Sequence, residues 1–328
     1  MRRREFAATV LAAALARGAV AQAARRIRRL GVVIAVGQTP EYVAALAAFE
    51  RSLESLGWKQ GVDLQIDVRW SAGGPQQARS AASEFAALDP DVVVGQSVAV
   101  VAALRSALPS TPIVFLHVAD PVAVGFVSSF ARPGGTITGI SNIEPTIGGK
   151  WLQLLEEIAP TVKRAALLVN PDTQPDRGAL FLRPFEEAAR SLGVTPVSGE
   201  VRDLQGIESV MAGLATAPRG GVVVIPDAFF AGHAARIVAL AERFRLPAVY
   251  PYRYYVVQGG LLSYGVNNVD LFRQAAPYVD RILRGARPAD LPVQQPTRFE
   301  LDINLKTARA LGLEVPASLR TLADELIR

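Results

Sequence analysis

The chain alternates between short runs of β-branched and other apolar residues and longer alanine-rich segments with helical periodicity. Continuous apolar runs are typical of strands covered on both faces, as in parallel sheets flanked by helices. Two of the helical segments end at a glycine, Gly57 and Gly193, which is a common helix stop. The alternation predicts an α/β protein with parallel sheets. The predicted strands lie within residues 30–36, 91–95, 112–118, 165–170, 221–226 and 247–251, and the predicted helices within 42–56, 76–87, 98–107, 149–158, 180–192 and 231–244.

The order of these elements repeats. DPDVVVGQS leads through a helix to TPIVFLHVADP, and later APRGGVVVIPD leads through a helix to RLPAVYPYRY. The repeat favours two Rossmann-like lobes over one large sheet. Three segments rich in turn residues, at 134–146, 258–268 and 288–296, would cross between the lobes and form a three-strand hinge. The predicted lobes comprise residues 27–143 with 262–288, and residues 144–261 with 289–328.

The N-terminus has the pattern of an export signal rather than of a folded element. Three arginines precede an apolar segment, which small residues follow, so residues 1–23 are predicted to be a signal peptide cleaved after Ala21 or Ala23. Arg3-Arg4-Glu5-Phe6 also resembles a twin-arginine signal. A membrane anchor is the alternative, but the apolar segment is too short to span a bilayer, and no later segment has transmembrane character. The pattern therefore predicts a periplasmic protein.

Composition and charge limit the partners. Of the formal net charge of +5, residues 1–23 carry a net +3, from four arginines and one glutamate, so the mature chain is close to neutral at +2. Such a balance does not favour nucleic acid as a partner. The absence of cysteine excludes disulfides and a lipoprotein anchor, and with two histidines it disfavours a transition-metal site. Phosphate-binding and dinucleotide-binding glycine motifs are absent, so no cofactor is expected.

Candidate ligand-binding residues follow from the predicted topology. In open parallel sheets, ligands bind beyond the carboxyl ends of the strands. Polar and aromatic side chains at those ends, and in one candidate crossing, would therefore line a cleft between the lobes. These residues are Thr39, Gln96, Ser97 and Asp120 in the first half, and Asn170, Asp227, Tyr250 and Tyr264 in the second.

Ser97 allows two interpretations. Gly95-Gln96-Ser97-Val98-Ala99 is one residue short of the G-x-S-x-G elbow of serine hydrolases, which would require His233 as the base. Alternatively, Ser97 begins a helix whose free N–H groups attract a ligand carboxylate, or it serves only as an N-cap. His233 lies in a predicted helix rather than in a catalytic loop, and Ala99 replaces the second glycine. Binding is therefore favoured, and an exported serine hydrolase using Ser97 is the alternative.

The two strand-end aspartates occupy matching places in the two halves. Either carboxylate could pair with a ligand ammonium group. Asp120 precedes Pro121, a dipeptide typical of turns, so a structural role competes strongly there. Asp227 is followed by Phe229 and Phe230, which could add an apolar wall. Asp227 is therefore the favoured ligand contact.

Three segments resemble the ABC-transporter substrate-binding protein family of the type I periplasmic-binding fold. They are PIVFLHVADPVAVGFVSSFARPGGTITGISN, LLSYGVNNVDLFRQAAPYVDRILRGARPADLPVQQP and FELDINLKTARALGLEVP. The resemblance implies an exported, two-lobed, non-enzymatic protein. Such a protein captures a small solute by domain closure and delivers it to a membrane permease. Some relatives bind aromatic amino acids, so the resemblance implies an amino acid or aromatic acid as solute. It also implies the same cleft residues, from Thr39 to Tyr264.

Overall fold

The computed structural model describes residues 26–328, apart from 73, 145, 217 and 218. The predicted signal peptide, residues 1–23, lies outside the described residues. The described chain forms two sheets, one of five strands and one of seven. The two predicted Rossmann-like lobes are thereby confirmed.

The first sheet is wholly parallel, with the strand order β2-β1-β3-β4-β5. Its central strands are buried valine runs, and Val32 of β1 pairs with Val94 of β3. Its strands are β1 (Arg28–Ile34), β2 (Leu64–Trp70), β3 (Val92–Gln96), β4 (Ile113–Leu116) and β5 (Ile137–Ile140), and its helices are α1 (Pro40–Ser55), α2 (Pro75–Leu88) and α3 (Val98–Ala107).

The second sheet is parallel except where β10 meets β11, and its order is β12-β11-β10-β9-β8-β6-β7. Its strands are β6 (Arg164–Leu168), β7 (Thr195–Val197), β8 (Gly220–Val224), β9 (Ala248–Tyr250), β10 (Leu262–Gly265), β11 (Glu300–Asn304) and β12 (Glu325–Ile327). The helices after β5 are α4 (Ile147–Ile158), α5 (Ala179–Leu192), α6 (Leu204–Ala215), α7 (Ala228–Gly232), α8 (Ala234–Arg243), α9 (Arg253–Val257), α10 (Asn268–Leu283), α11 (Leu305–Ala310) and α12 (Ala317–Leu322), with 3₁₀ turns at Pro175–Gly178 and Pro288–Asp290.

The chain crosses between the lobes close to the three predicted segments, but strand pairing shifts the boundaries. β10 belongs to the second sheet, between β9 and β11, although residues 262–288 are predicted to belong to the first lobe. The helix α10 that follows does return to the first lobe, where Phe272 packs in one core with Tyr42 of α1. Leu291 also lies in that core, and its carbonyl accepts a 2.6 Å hydrogen bond from Thr138.

Two local differences from the predicted elements have a physical cause. The strand β2 is missing from the predictions because it lies at the sheet edge and, after Leu64, is only partly buried, so it lacks a continuous apolar run. The predicted helix over 231–244 is broken at His233, whose backbone (φ −116°, ψ 16°) is not helical. The break separates the short helix α7 from α8 and lets α7 begin directly at the strand end.

Candidate functional site

A cavity of about 1060 Å³ lies between the two lobes, where the carboxyl ends of both sheets meet. Its volume is at the upper end of the range typical of small-molecule sites. Five of the predicted residues line it: Thr39, Gln96, Ser97, Asp120 and Asp227.

Ser97 lies at the junction of β3 and α3 with an unusual backbone conformation. Its φ of 94° and ψ of 157° fall in a region that is essentially restricted to glycine. Its hydroxyl oxygen accepts a 3.4 Å hydrogen bond from the N–H of Val100, which caps α3. Such strain at a cavity wall is typical of residues whose side chain has a function.

Gln96 has a structural role inside the first lobe. Its Oε1 accepts a 2.7 Å hydrogen bond from the N–H of Ala35, and its Nε2 lies 3.5 Å from the hydroxyl of Tyr42. The residue is 4% exposed. The amide therefore joins the ends of β1 and β3 to α1 and positions Tyr42 on the cavity.

Thr39 and Asp120 both cap local structure at the cavity edge. The hydroxyl of Thr39 accepts from the N–H of Tyr42 at 3.4 Å, at the start of α1. One carboxylate oxygen of Asp120 accepts from the N–H groups of Val122 and Ala123, at 3.1 and 2.9 Å. The turn role weighed for Asp120 is thus present, and the side chain also faces the cavity.

Asp227 forms the polar centre of the second lobe's wall. Its Oδ1 accepts from the N–H of Phe229 at 2.7 Å, while its Oδ2 accepts from the Thr173 hydroxyl and the Gln174 amide, both at 2.6 Å. Burial raises the pKa of the carboxyl group, and these hydrogen bonds offset part of the rise. A partly buried carboxylate held in this way can pair with a cation that enters the cavity.

Aromatic rings surround the polar groups. Tyr252 packs edge-on against His117, with ring centroids 5.8 Å apart. On the second lobe, Phe229 packs against His233 at 4.7 Å. Both pairs line the cavity, and Tyr42 contributes a third wall from α1. The cavity can therefore enclose an apolar or aromatic group between polar ends.

Three predicted site residues do not line this cavity. Tyr250 is 1% exposed and stacks on Tyr255 in the hydrophobic core of the second lobe. Tyr264 stacks on Phe299, and its carbonyl accepts from Trp151. Asn170 is 4% exposed and uses its Oδ1 to hold the N–H of Asp172. Tyr250 and Asn170 are thus buried inside the second lobe, and Tyr264 is half-buried against Phe299, outside the cavity lining.

The model of the family described as ABC transporter substrate binding protein matches residues 31–327. The chain belongs to this family. It is 25% identical over 281 residues to a tyrosine-binding protein of Clostridioides difficile, which covers 84% of this chain and 78% of the relative.

Solved structures agree with this membership of the ABC transporter substrate binding protein family. A conserved domain protein from Vibrio cholerae matches with a TM-score of 0.84 at 26% identity, covering 92% of this chain and all of that one. A Streptococcus pneumonia protein in complex with L-Trp matches with a TM-score of 0.83 at 24% identity, over 92% of this chain and 99% of that one. The type I periplasmic-binding fold expected from the resemblance is therefore confirmed.

The hydrolase alternative has no support. The family is one of substrate-binding proteins rather than enzymes. The hydroxyl of Ser97 accepts from the α3 backbone, and Nδ1 of His233 lies 2.8 Å from the carbonyl of Phe229. Within the described part of the chain, no hydrogen bond joins Ser97 to His233.

Several cavity residues were missed from the sequence. Thr173 and Gln174 follow the predicted strand end at Asn170 by a few positions, and His117 precedes Asp120, so a slightly wider reading of the strand ends would have found them. Tyr42 and Arg183 lie near the starts of the helices α1 and α5, beyond the strand ends from which site residues were predicted. Among the described residues, no helix is long and apolar enough to cross a membrane, and no group of three potential ligands could hold a metal ion.

Proposed function

We propose that this substrate-binding protein captures an amino acid with an aromatic side chain between its lobes and delivers it to the permease of an ABC importer. The main support for the proposal is that one cavity has polar groups at two ends and aromatic side chains along its walls. A strained serine at the start of α3 lies on one lobe, and the partly buried carboxylate of Asp227 lies on the other.

The chemistry of the two ends suits a zwitterion. The α-carboxylate would lie against the Ser97 hydroxyl and the first-turn N–H groups of α3, where the helix dipole favours negative charge. The ammonium group would pair with Asp227, with Asp120 at the opposite edge. The ring would pack among Tyr252, Phe229 and Tyr42.

The relatives support the same ligand class. The curated relative from C. difficile is a tyrosine-binding protein, and the S. pneumonia structure contains L-Trp. Neither identity is high enough to transfer the ligand itself, and pockets in one fold diverge readily. The proposal therefore extends to the aromatic amino acids as a class.

Capture by lobe closure is part of the proposal. At the same 24% identity and the same 92% coverage of this chain, the fold matches the L-Trp complex with a TM-score of 0.83 and a ligand-free, open substrate-binding protein from C. difficile with 0.68. This difference supports a closed arrangement of the lobes here. A ligand that touches both lobes would favour that arrangement by its differential affinity.

The test is a thermal-shift screen of residues 24–328, followed by calorimetric titration. L-tyrosine, L-tryptophan and L-phenylalanine should raise the melting temperature, with about 2.7 kcal/mol of stabilisation at a hundredfold excess over Kd. Tyramine, which lacks the carboxylate, and 3-(4-hydroxyphenyl)propionate, which lacks the ammonium group, are the matched controls and should bind far more weakly. Equal binding of these controls would contradict the zwitterion assignment, and turnover of an ester that vanishes in Ser97→Ala would overturn the binding function.

Export is the remaining part of the proposal. It rests on the arginine, apolar and small-residue pattern of residues 1–23. Mass spectrometry of the protein from the periplasmic fraction should give an N-terminus at residue 22 or 24. Replacement of Arg3 and Arg4 by lysine should block export if the twin-arginine route is used, whereas unchanged export would indicate the general secretion route.

A further inference from the structure

His117 lies at the end of β4, on the first lobe, and its ring is enclosed by groups from both lobes. Ring centroids of Tyr42, Tyr252 and Phe272 lie 6.2, 5.8 and 6.3 Å from that of His117. Tyr252 comes from the second lobe, and its hydroxyl accepts a 3.0 Å hydrogen bond from Asn142 in the first crossing. The imidazole therefore lies where the lobes and the hinge meet.

The hydrogen bond of His117 to Asn268 indicates the tautomer of the neutral ring. Nε2 lies 2.8 Å from Oδ1 of Asn268, the first residue of α10. An amide oxygen only accepts, so Nε2 carries the hydrogen, and in the neutral ring Nδ1 is then the bare nitrogen. Nδ1 is buried and has no hydrogen-bond partner among the described residues.

Protonation in this state is unfavourable. It would place a charged N–H at Nδ1, among three rings and without an acceptor. Burial accordingly lowers the pKa of His117 to about 4, against an ordinary value of 6.5, while the hydrogen bond to Asn268 opposes the shift. Separating the lobes would remove Tyr252 from the ring and admit water, so the open form would take up a proton more readily.

We propose that His117 is a positioning residue that makes ligand retention depend on pH. The neutral imidazole supports the closed lobes, and its protonation favours their separation and the release of the ligand. This inference rests on the proposed capture by lobe closure.

Other charged groups on the surrounding elements also respond to pH. Burial raises the pKa of Glu41 on α1, an effect that the charge of Arg253 opposes. A raised carboxyl pKa favours the closed form on acidification, which is the opposite direction to His117. Burial also raises the pKa of Asp227, and its protonation on acidification would weaken the hold on an ammonium group, in the same direction as His117. Variants must therefore separate His117 from these groups.

The sign of the expected effect follows from linkage. A histidine whose pKa is lowered on closure has no effect on the stability of the closed form above about pH 6.5. As the pH falls below that value, the histidine destabilises the closed form relative to the open form. With pKa values of about 6.5 open and 4 closed, Kd at pH 5.0 should be about 25-fold higher than at pH 7.5.

The experiment measures Kd for L-tyrosine and L-tryptophan by calorimetry at pH 7.5 and 5.0. His117→Asn should reduce the ratio of the two Kd values to about threefold or less, because asparagine tolerates the positive φ of 55° but does not titrate. His233→Asn, the matched control at the other cavity histidine, should keep the wild-type ratio. Glu41→Gln should not lower it. A wild-type ratio near one, or a high ratio retained by His117→Asn, would overturn the proposal.

A second measurement distinguishes this inference from the proposed function. The chain has two histidines, so NMR can follow the His117 ring directly, and the variant His233→Asn assigns the remaining ring signals to His117. The pKa of His117 should be well below 6.5 with ligand and closer to 6.5 without it; equal values near 6.5 in both states would overturn the inference. If neither amino acid binds at pH 7.5, the proposed function fails. The inference then fails with it, because it rests on capture of a ligand, whereas binding at pH 7.5 with equal pKa values in the two states overturns the inference alone.

Discussion

The two strand-end aspartates of this protein occupy matching places in its two lobes but differ in their surroundings. Among the described residues, Asp120 accepts hydrogen bonds from two backbone N–H groups of its own turn, and it lines the cavity. Asp227 also accepts from two side chains on a neighbouring loop, Thr173 and Gln174, and its pKa is raised by burial. Both aspartates thus cap the turn after their strand and are partly buried, but only Asp227 is also held by side chains and has a pKa raised by desolvation.

The position of a residue at a strand end identifies it as a candidate ligand contact, whereas its desolvation indicates how strongly it would bind a charged group. An exposed carboxylate is screened by water and discriminates little between ligands. A buried carboxylate that is already hydrogen-bonded interacts strongly with a cation, because little water remains to compete. Asp227 is therefore expected to dominate affinity.

The largest expected effect is that of Asp227→Asn. Loss of the charge proposed to face a ligand ammonium group should weaken binding of an aromatic amino acid about 30-fold or more, since a desolvated charge partner is worth about 2–5 kcal/mol. The matched substitution Asp120→Asn should change Kd by less than about threefold. Calorimetric titration measures both, and thermal melts confirm folding. Equal losses of affinity in the two variants would show that the two aspartates do not differ in their contribution to binding.

Ser97 gives a second comparison, between stability and affinity. Ser97→Gly removes backbone strain worth about 1–3 kcal/mol and costs only a few tenths as a cap, so the melting temperature should rise by about 2 °C. Loss of the hydroxyl should weaken ligand binding by about tenfold. Ser97→Ala, which keeps the strain, should bind equally weakly without the gain in stability. A glycine variant with unchanged Kd would exclude the hydroxyl as a ligand contact.

Variants of Thr173 test whether hydrogen bonds from the neighbouring loop hold the Asp227 carboxylate in place for ligand binding. Thr173→Val removes the hydroxyl that donates to Oδ2 at 2.6 Å while keeping the shape of the side chain. Ligand affinity should fall by about fivefold, because the carboxylate loses a charge-assisted hydrogen bond. Thr173→Ser keeps the donor and should bind as the wild type does. If the serine variant loses as much as the valine variant, packing rather than the hydrogen bond is responsible.

The smallest expected effect concerns Asp302 on β11, in the sheet of the second lobe. Burial raises the pKa of Asp302 to about 6, while a hydrogen bond from Ser263 opposes the shift. A carboxyl group raised in this way stabilises the fold at low pH and loses that contribution as the pH rises through about 6. Asp302→Asn should therefore raise the melting temperature at pH 7.5 by about 2 °C and leave it unchanged at pH 4. A gain that is independent of pH would show that the charge is not the cause.

Most of the fold was predictable because buried parallel strands have an unambiguous pattern. The valine runs at β3 and β8 and the helices that follow them lie within a few residues of their predicted bounds. Six strands of the described chain were not predicted. The edge strands β2 and β7 are partly buried and mostly exposed, respectively, and β5 and β10 lie in segments interpreted as crossings. The strands β11 and β12 contain only two apolar residues each. The assignment of β10 to the first lobe differed from its pairing because strand partners depend on contacts far along the chain.

The site was predictable in part. Position at a strand end predicted Ser97 and Asp227, which follow β3 and β8 and line the cavity. It could not separate them from Tyr250 and Tyr264, because the direction of a side chain at a strand end depends on the packing that follows. A Cβ at Gly265 would lie 1.9 Å from the carbonyl of Pro251, and this close approach holds the turn before Tyr252 against β10.

The sequence alone determined the class of fold, the repeat of its two halves, the family and the positions where ligand chemistry could occur. Local patterns carry that information, because periodicity, helix stops and strand ends depend on neighbouring residues. Tertiary structure decided which of those positions share a cavity, how far each is buried, and that His117, Tyr42 and Tyr252 meet between the lobes. Burial and pairing depend on residues far apart in the chain, and these contacts set the pKa and the hydrogen bonding of each group.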